Sequence, residues 1–329
     1  MIDHILRLPS QLTSRIAVEG KPPPRTPRGL TLIGTGGSGI AGEFLKAWLE
    51  TSQFPIHLVQ GFRLPPEAKI GPAAIAVSYS GATEETLSAA LEARARGNLI
   101  GVVASGGPLL DLGTKEGLLQ ARLPPGLQPR AALGHSFRAL CEMLVAAGVD
   151  VRLSALGRTA RLLRSVRRLY DPGTPEGRNP AKQQARSLYR KTPVVYSEAG
   201  LAPAAHRWVH QLNENAKVLA WSGLLPQMNH NGIVGWTRDP LSQNYVAVFL
   251  REKKMEKAAQ LRFQVTLNMI RTSTHAGEHV FDSESRLDNL FHAAYLGDFT
   301  SYYLALLRGV DPTPVEPIQK LKRTLRRRT

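Results

Sequence analysis

The 329 residues exceed what one hydrophobic core usually organises, and the length favours two packed domains of about 150 residues each. With 43% hydrophobic residues the composition is that of an ordinary globular chain; no run approaches the roughly 20 apolar residues that span a bilayer, and the single cysteine, Cys141, excludes an internal disulfide. The formal charge of +16, from 42 Lys and Arg against 26 Asp and Glu, attracts polyanions of every kind and selects none of them.

The opening segment, MIDHILRLPSQLTSRIAVEG, lacks the basic start, unbroken apolar stretch and small-residue cleavage site of a secretory signal, so a cytoplasmic protein is expected. Short β-like runs at 30–33, 56–59, 73–78, 99–104 and 120–123 then alternate with helical patterns, which predicts a parallel, doubly wound sheet. The first run leads into TLIGTGGSGIAGEF, where a helix is expected to begin near Gly39. Glycines let a ligand approach the backbone, and the unpaired N–H groups of a helix start favour an anion.

Gly34, Gly36 and Gly39 match G-x-G-x-x-G literally. A dinucleotide site adds an acid about 20 positions on, at the end of the second strand. Here that strand ends at Gln60 with no carboxylate nearby, so no dinucleotide cofactor is expected, and Ser38 suits a phosphate oxygen instead. A second strand-to-loop junction, AAIAVSYSGATEETL, gathers Ser78, Ser80 and Thr83 around Gly81 before a helix. One such hydroxyl would be an ordinary helix cap; three beside a glycine form a cradle for a phosphate monoester.

Pro124, Pro125, Gly126 and Pro129 interrupt the chain before a helical stretch over 131–147, near which the first domain is expected to end. Cys141 lies on that stretch, in RALCEMLVAAG, and reads as a buried structural thiol. Much of the positive charge falls between Arg152 and Lys191 and in a tail of Lys320, Lys322, Arg323, Arg326, Arg327 and Arg328. In the first of these segments leucines recur near helical spacing with arginines between them, which describes a helix with a solvated basic face rather than a nucleic-acid surface.

After the breaker-rich DPGTPEGRNP, strand-like runs resume at 193–196, 245–250 and 279–282, so the second half repeats the architecture though not the sequence. The apolar pattern over 286–308 predicts a core helix. Following PVVYSEAG, a helix over 204–220 puts Arg207, Gln211 and Glu214 on one face, which looks into a site or forms the polar stripe of a surface helix. His230, between Asn229 and Asn231 and two residues before Gly232, reads as part of an exposed, defined loop, although a lone histidine is also a common structural residue. No cluster of Cys and His with metal-ligand spacing occurs, so no metal or cofactor is expected.

Taken together, GTGGSGIAG, SYSGATEET, PRAALG, NENAK, NHN and DPTPVEPIQKLK, spread in order from residue 34 to residue 322, resemble the bifunctional phosphoglucose and phosphomannose isomerases of the sugar-isomerase (SIS) domain superfamily. The resemblance implies an α/β protein of two flavodoxin-like doubly wound parallel-sheet subdomains with flanking helices, here 1–151 and 152–329. It implies isomerisation of glucose 6-phosphate, and mannose 6-phosphate, to fructose 6-phosphate. Gly37, Ser38, Ser78, Ser80 and Thr83 would hold the phosphate and Arg130 would face the enediolate oxyanion. Glu214 would shuttle a proton between C2 and C1, while Thr313 and Lys320 would hold the sugar hydroxyls and the region of the ring oxygen. His230 would assist ring opening from the partner subunit of a homodimer. Neither nucleic acid nor membrane is implied as a partner.

Elementary chemistry agrees, because taking a proton next to a carbonyl requires a nearby carboxylate, and the charge that develops on oxygen requires a fixed cation. The chain departs from the family at PQMNHNG, where the pattern is close to PE-x-NHNE: Gln227 and Gly232 replace acids. Two other readings are a phosphosugar-binding regulator and an aminosugar-forming isomerase. The roughly 29 residues before the first strand are short for the DNA-binding helix-turn-helix of the former. The latter would need a glutaminase partner with an N-terminal catalytic cysteine, which is not found.

Overall fold

The apolar runs of the first half pair as the alternation predicts. The structure, a computed structural model, describes residues 1–49, 54–66 and 73–326. Two short helices, α1 (Ile2–Leu6) and α2 (Leu8–Thr13), and a two-residue strand β1 (Val18–Glu19) precede β2 (Leu30–Ile33), α3 (Gly36–Leu49), β3 (Ile56–Val59) and β4 (Ala73–Val77). There follow α4 (Glu84–Ala95), β5 (Leu99–Ala104), α5 (Pro108–Glu116), β6 (Leu119–Arg122) and α6 (Leu133–Ala146). The sheet order is β1-β6-β5-β4-β2-β3, parallel except for β1, which runs antiparallel to β6. Its strands are nearly continuous apolar runs because helices cover both faces.

The second half contains α7 (Leu153–Tyr170), α8 (Pro180–Leu188), β7 (Thr192–Ser197), α9 (Ala202–Glu214), β8 (Trp221–Leu224) and α10 (Gly232–Arg238). It continues through β9 (Tyr245–Glu252), α11 (Lys257–Arg271), β10 (Ala276–Phe281), α12 (Arg286–Leu307) and α13 (Glu316–Arg326). Its all-parallel sheet, β10-β9-β7-β8, reproduces the order β5-β4-β2-β3 of the first. The architecture is therefore duplicated, with the doubly wound order that the alternation implied.

Several boundaries differ from the sequence reading for local reasons. Helix α3 starts at Gly36, at φ +54, three residues earlier than expected. Strand β8 is not marked in the sequence because Trp-Ser-Gly-Leu is a largely exposed edge strand without alternation. Helix α9 stops at Glu214 instead of continuing to residue 220, since Lys217 adopts a left-handed backbone, φ +56. On α7, Leu156, Ala160 and Leu163 are buried while Arg161, Arg164, Arg167 and Arg168 face solvent. Cys141 is buried, and burial pushes its thiol far above the range in which it ionises. Arg327 and Arg328 of the basic tail lie outside the described residues. Among the described residues no helix is long and apolar enough to cross a membrane.

One core joins the two halves. Helix α12 packs on α7, α8 and α9 and touches α3, and its Phe291 meets Phe44 of α3 and Phe137 of α6 edge to face, with centroids 5.0 Å apart in each pair. Trp208 of α9, fully buried, donates from Nε1 to the Ala293 carbonyl at 2.7 Å and lies over Gly297. A methyl group at Gly297 would fall 2.4 Å from that indole, closer than atoms can pack. Gly297→Ala is therefore expected to force α9 and α12 apart at a cost of about 1–3 kcal/mol, measurable as a lowered denaturation midpoint.

Candidate active site

Both hydroxyl-bearing loops sit where the first sheet reverses its winding, between β2 and β4, the place at which doubly wound sheets bind ligands. They are tied together, for the Tyr79 N–H donates to Ser38 Oγ at 2.9 Å. Ser78 and Thr83 face each other, Oγ to Oγ1, at 3.0 Å, and Thr83 does not cap α4 with its side chain. Ser80 is exposed, and its Oγ accepts from the Ala82 N–H at 3.3 Å. The turn requires Gly81: its φ is +65, and a Cβ would lie 1.8 Å from the Gly106 carbonyl oxygen.

Gly37 brings a further element to these loops. A Cβ there would stand 2.9 Å from the Arg130 nitrogen, so the absence of a side chain lets the 3-10 turn Pro129–Ala132 close on the start of α3. From that turn the Arg130 side chain, 2% exposed, runs to the C-terminal end of α9. Its Nη1 donates to Glu214 Oε2 at 3.2 Å, its Nε to Asn215 Oδ1 at 2.9 Å, and its Nη2 to the carbonyls of Pro312 and Thr313, both at 2.9 Å. Burial raises the Glu214 carboxyl above the ordinary carboxylate range, and the neighbouring Arg130, Arg207 and Lys217 draw it back down. The group is thus a carboxyl held next to a cation and partly withdrawn from water.

The other polar residues of α9 hold this pair from behind. Arg207 forms a buried bidentate ion pair with Asp298 of α12, Nε to Oδ1 at 2.9 Å and Nη2 to Oδ2 at 2.7 Å. Its Nη1 donates to the Arg130 carbonyl at 3.1 Å, which fixes the backbone from which the Arg130 side chain departs. Gln211 also donates to Asp298 Oδ1, at 2.8 Å, and Asn215 donates to Ser301 Oγ at 3.0 Å. The polar face predicted for this helix is therefore buried, with Glu214 forming its outer end.

The family described as "Bacterial phospho-glucose isomerase C-terminal SIS domain" matches residues 177–325. The chain is 35% identical over 302 residues to the bifunctional phosphoglucose/phosphomannose isomerase of Caldicellulosiruptor bescii, covering 90% of this chain and 89% of that one. It is 32% identical over 303 residues to the protein of the same name from Aquifex aeolicus, covering 91% of each. The chain belongs to the bifunctional phosphoglucose/phosphomannose isomerase family. At the level of fold it is also similar to a hypothetical protein from Thermus thermophilus, with a TM-score of 0.75, 16% identity and coverage of 99% of this chain and 88% of that one.

The remaining positions of the isomerase-family motifs are distributed less compactly. Thr313 meets Arg130 through its carbonyl, and its N–H donates to Asp311 Oδ1 at 2.8 Å. Lys320 stands exposed on α13. His230 is exposed at the end of a 3-10 turn, Gln227–His230, beside a cavity of about 600 Å³ lined by Ile233 and by Leu261, Val265 and Met269 of α11. Among the described residues, neither Lys320 nor His230 forms a hydrogen bond or ion pair with Arg130 or Glu214 of the same chain. Gln227 is exposed, and Gly232 opens α10 with its N–H held by the Asn231 side chain at 2.5 Å.

Sequence reasoning missed Asn215 and Asp298 as parts of the site. Asn215 stood within NENAK, while Asp298, an acid in the middle of the apolar α12, was a usable signal, since a charge there must find a buried partner. Asp298→Ala would strand the Arg207 cation in the core and is expected to cost about 3–5 kcal/mol in urea unfolding. The double replacement Arg207→Met, Asp298→Leu, which removes both charges, is expected to recover much of that loss.

Proposed function

We propose that the chain interconverts glucose 6-phosphate and mannose 6-phosphate with fructose 6-phosphate through an enediolate, with Glu214 as the base. The observation that carries this reading is the Arg130–Glu214 pair, joined through Arg130 and Gly37 to the Ser38 loop. In the proposed reaction Ser38, Ser78, Ser80 and Thr83 of residues 1–151 anchor the phosphate, and residues 152–329 supply the base. Glu214 takes the C2 proton of the open-chain aldose, the electron pair moves towards the C1 carbonyl, and the oxygen becomes negative. Glu214 then returns the proton to C1 as the hydroxyl proton passes from O2 to O1. Glucose and mannose phosphates differ only at C2, which is planar in the enediolate, so one base serves both.

Arg130 has five N–H groups, of which four are held by protein acceptors among the described residues; the fifth, on Nη1, remains for the developing oxyanion. Ring opening falls to Lys320 and to His230 of the partner subunit. Two observations favour a partner's histidine: His230 does not meet Glu214 of its own chain, and the apolar Leu261, Val265 and Met269 beside it are exposed. Hexose phosphates do not cross a bilayer unaided, and the proposed setting is the cytoplasm.

Glu214→Gln is expected to lower kcat in a coupled assay by about 10²–10⁴-fold or more. Because burial raises Glu214, its proton leaves only above the ordinary carboxylate range, and the acid limb of kcat/KM is expected above that range. Full turnover by Glu214→Gln would overturn the assignment. For the dimer, mixing inactive Glu214→Gln and His230→Ala subunits is expected to restore about a quarter of the wild-type sites, since half the dimers are mixed and each holds one intact pair. If each site used its own histidine, mixing would restore nothing.

A further inference from the structure

Between α12 and α13 runs a strap, Asp-Pro-Thr-Pro-Val, in which three successive carbonyls are each held by a cation. Arg130 takes those of Pro312 and Thr313, and Lys217 Nζ donates to that of Pro314 at 2.7 Å. The same ammonium donates to the Glu214 carbonyl at 2.5 Å, on the last turn of the helix that bears the base. Helix α13, which follows the strap and carries Lys320, is exposed from Glu316 to Leu325. These carbonyl contacts tie the segment that leads to it to Arg130 and to the end of α9.

Lys217 is an unexpected residue for its backbone. Its φ of +56 is one that glycine adopts freely and side-chain-bearing residues rarely do; Arg190 is the other non-glycine residue so placed among those described. Capping the end of α9 would require only glycine at this position. What lysine adds is a cation that reaches Pro314, 97 positions away. A second effect reaches the base directly, because the Lys217 charge is among those that draw the Glu214 carboxyl down.

We propose that Lys217 is a positioning residue for the isomerase site: its ammonium clamps the strap to the end of the base helix, so that Thr313 and the residues beyond it meet the sugar end of the substrate. The clamp rests on the isomerase reading above for its functional meaning, but its physical existence can be measured separately.

Lys217→Gly tests the clamp, since it keeps the left-handed turn and removes the cation. The variant is expected to stay folded, with faster amide exchange at Asp311, Thr313, Val315 and Glu316, the residues of this stretch that carry an amide proton. Its KM for glucose 6-phosphate should rise about tenfold, the equivalent of one charge-assisted hydrogen bond. The inhibition constant of inorganic phosphate should stay unchanged, because the phosphate cradle lies in the other half. The acid limb of kcat/KM should move to higher pH as a cation near Glu214 is lost, and Lys217→Arg should restore part of the KM. Unchanged exchange together with an unchanged KM would overturn the clamp, as would a matching loss of phosphate inhibition. Should the wild-type protein bind sugar phosphate without turning it over, the isomerase reading fails, and the exchange rates alone still decide whether Lys217 holds the strap.

Discussion

The site depends on one buried guanidinium. Arg130 leaves a backbone pressed against Gly37 and ends among acceptors from α9 and from the segment before α13, so a single side chain spans the start of α3, Glu214 and the C-terminal strap. A guanidinium withdrawn from water is costly unless its donors are met, and truncating one partner of such a group costs about 3–5 kcal/mol. The planar fork of arginine makes the arrangement possible: its five donors in fixed directions meet four acceptors here, where the ammonium of lysine has only three donors. The fold brings these segments together because α12 packs against α9 and holds the ion pair beneath it.

Duplication of the sheet raises the question of why only one switch point binds phosphate in this reading. At the first, between β2 and β4, the loops present glycines and hydroxyls. At the second, between β7 and β9, the strand ends carry Glu198 and Glu252. The Glu252 N–H donates to Glu198 Oε1 at 3.1 Å, so a backbone group that could have met an anion is already occupied. Burial and the adjacent Glu252 charge both raise the Glu198 carboxyl. An incoming phosphate would add a further negative charge beside them. In the proposed reaction the two halves share a topology and divide the chemistry: one offers donors to an anion, and the other supplies the end of α9.

The sheets were legible in the sequence because a strand buried on both faces is written as an unbroken apolar run, as at 30–33 and 99–104. Strand β8 was not, since an exposed edge strand with Gly223 at its centre has neither alternation nor apolar weight. The hydroxyl loops could be read from composition, because one hydroxyl before a helix serves as a cap whereas Ser78, Ser80 and Thr83 beside Gly81 exceed what a cap needs. The fixing of Arg130 could not. Its partners Asn215, Glu214, Pro312 and Thr313 lie 84 to 183 positions away, and two of them act through backbone carbonyls, which any residue carries. The spacing of Arg207, Gln211 and Glu214 gave their common face but not its burial, which is decided by Asp298 on a helix some 90 residues on.

The electrostatics of Glu214 follow from where α9 ends. Were the helix to continue to residue 220, the backbone turn that places Lys217 against the Pro314 carbonyl would be lost. Ending it at Glu214 turns the chain so that Asn215 faces inward to Arg130 and Lys217 faces outward to Pro314. The Glu214 carboxyl then stands between burial, which favours its protonated form, and cations, which favour its charged form. Neither effect alone would suit the proposed role, in which Glu214 both takes and returns a proton. Deep burial without Arg130 would hold the carboxyl neutral, and full exposure beside Arg130 would leave it too weak a base to remove a proton from carbon. Placing the carboxylate on the last turn, with one oxygen on Arg130 and the side chain about a quarter exposed, is the compromise that this helix terminus makes available.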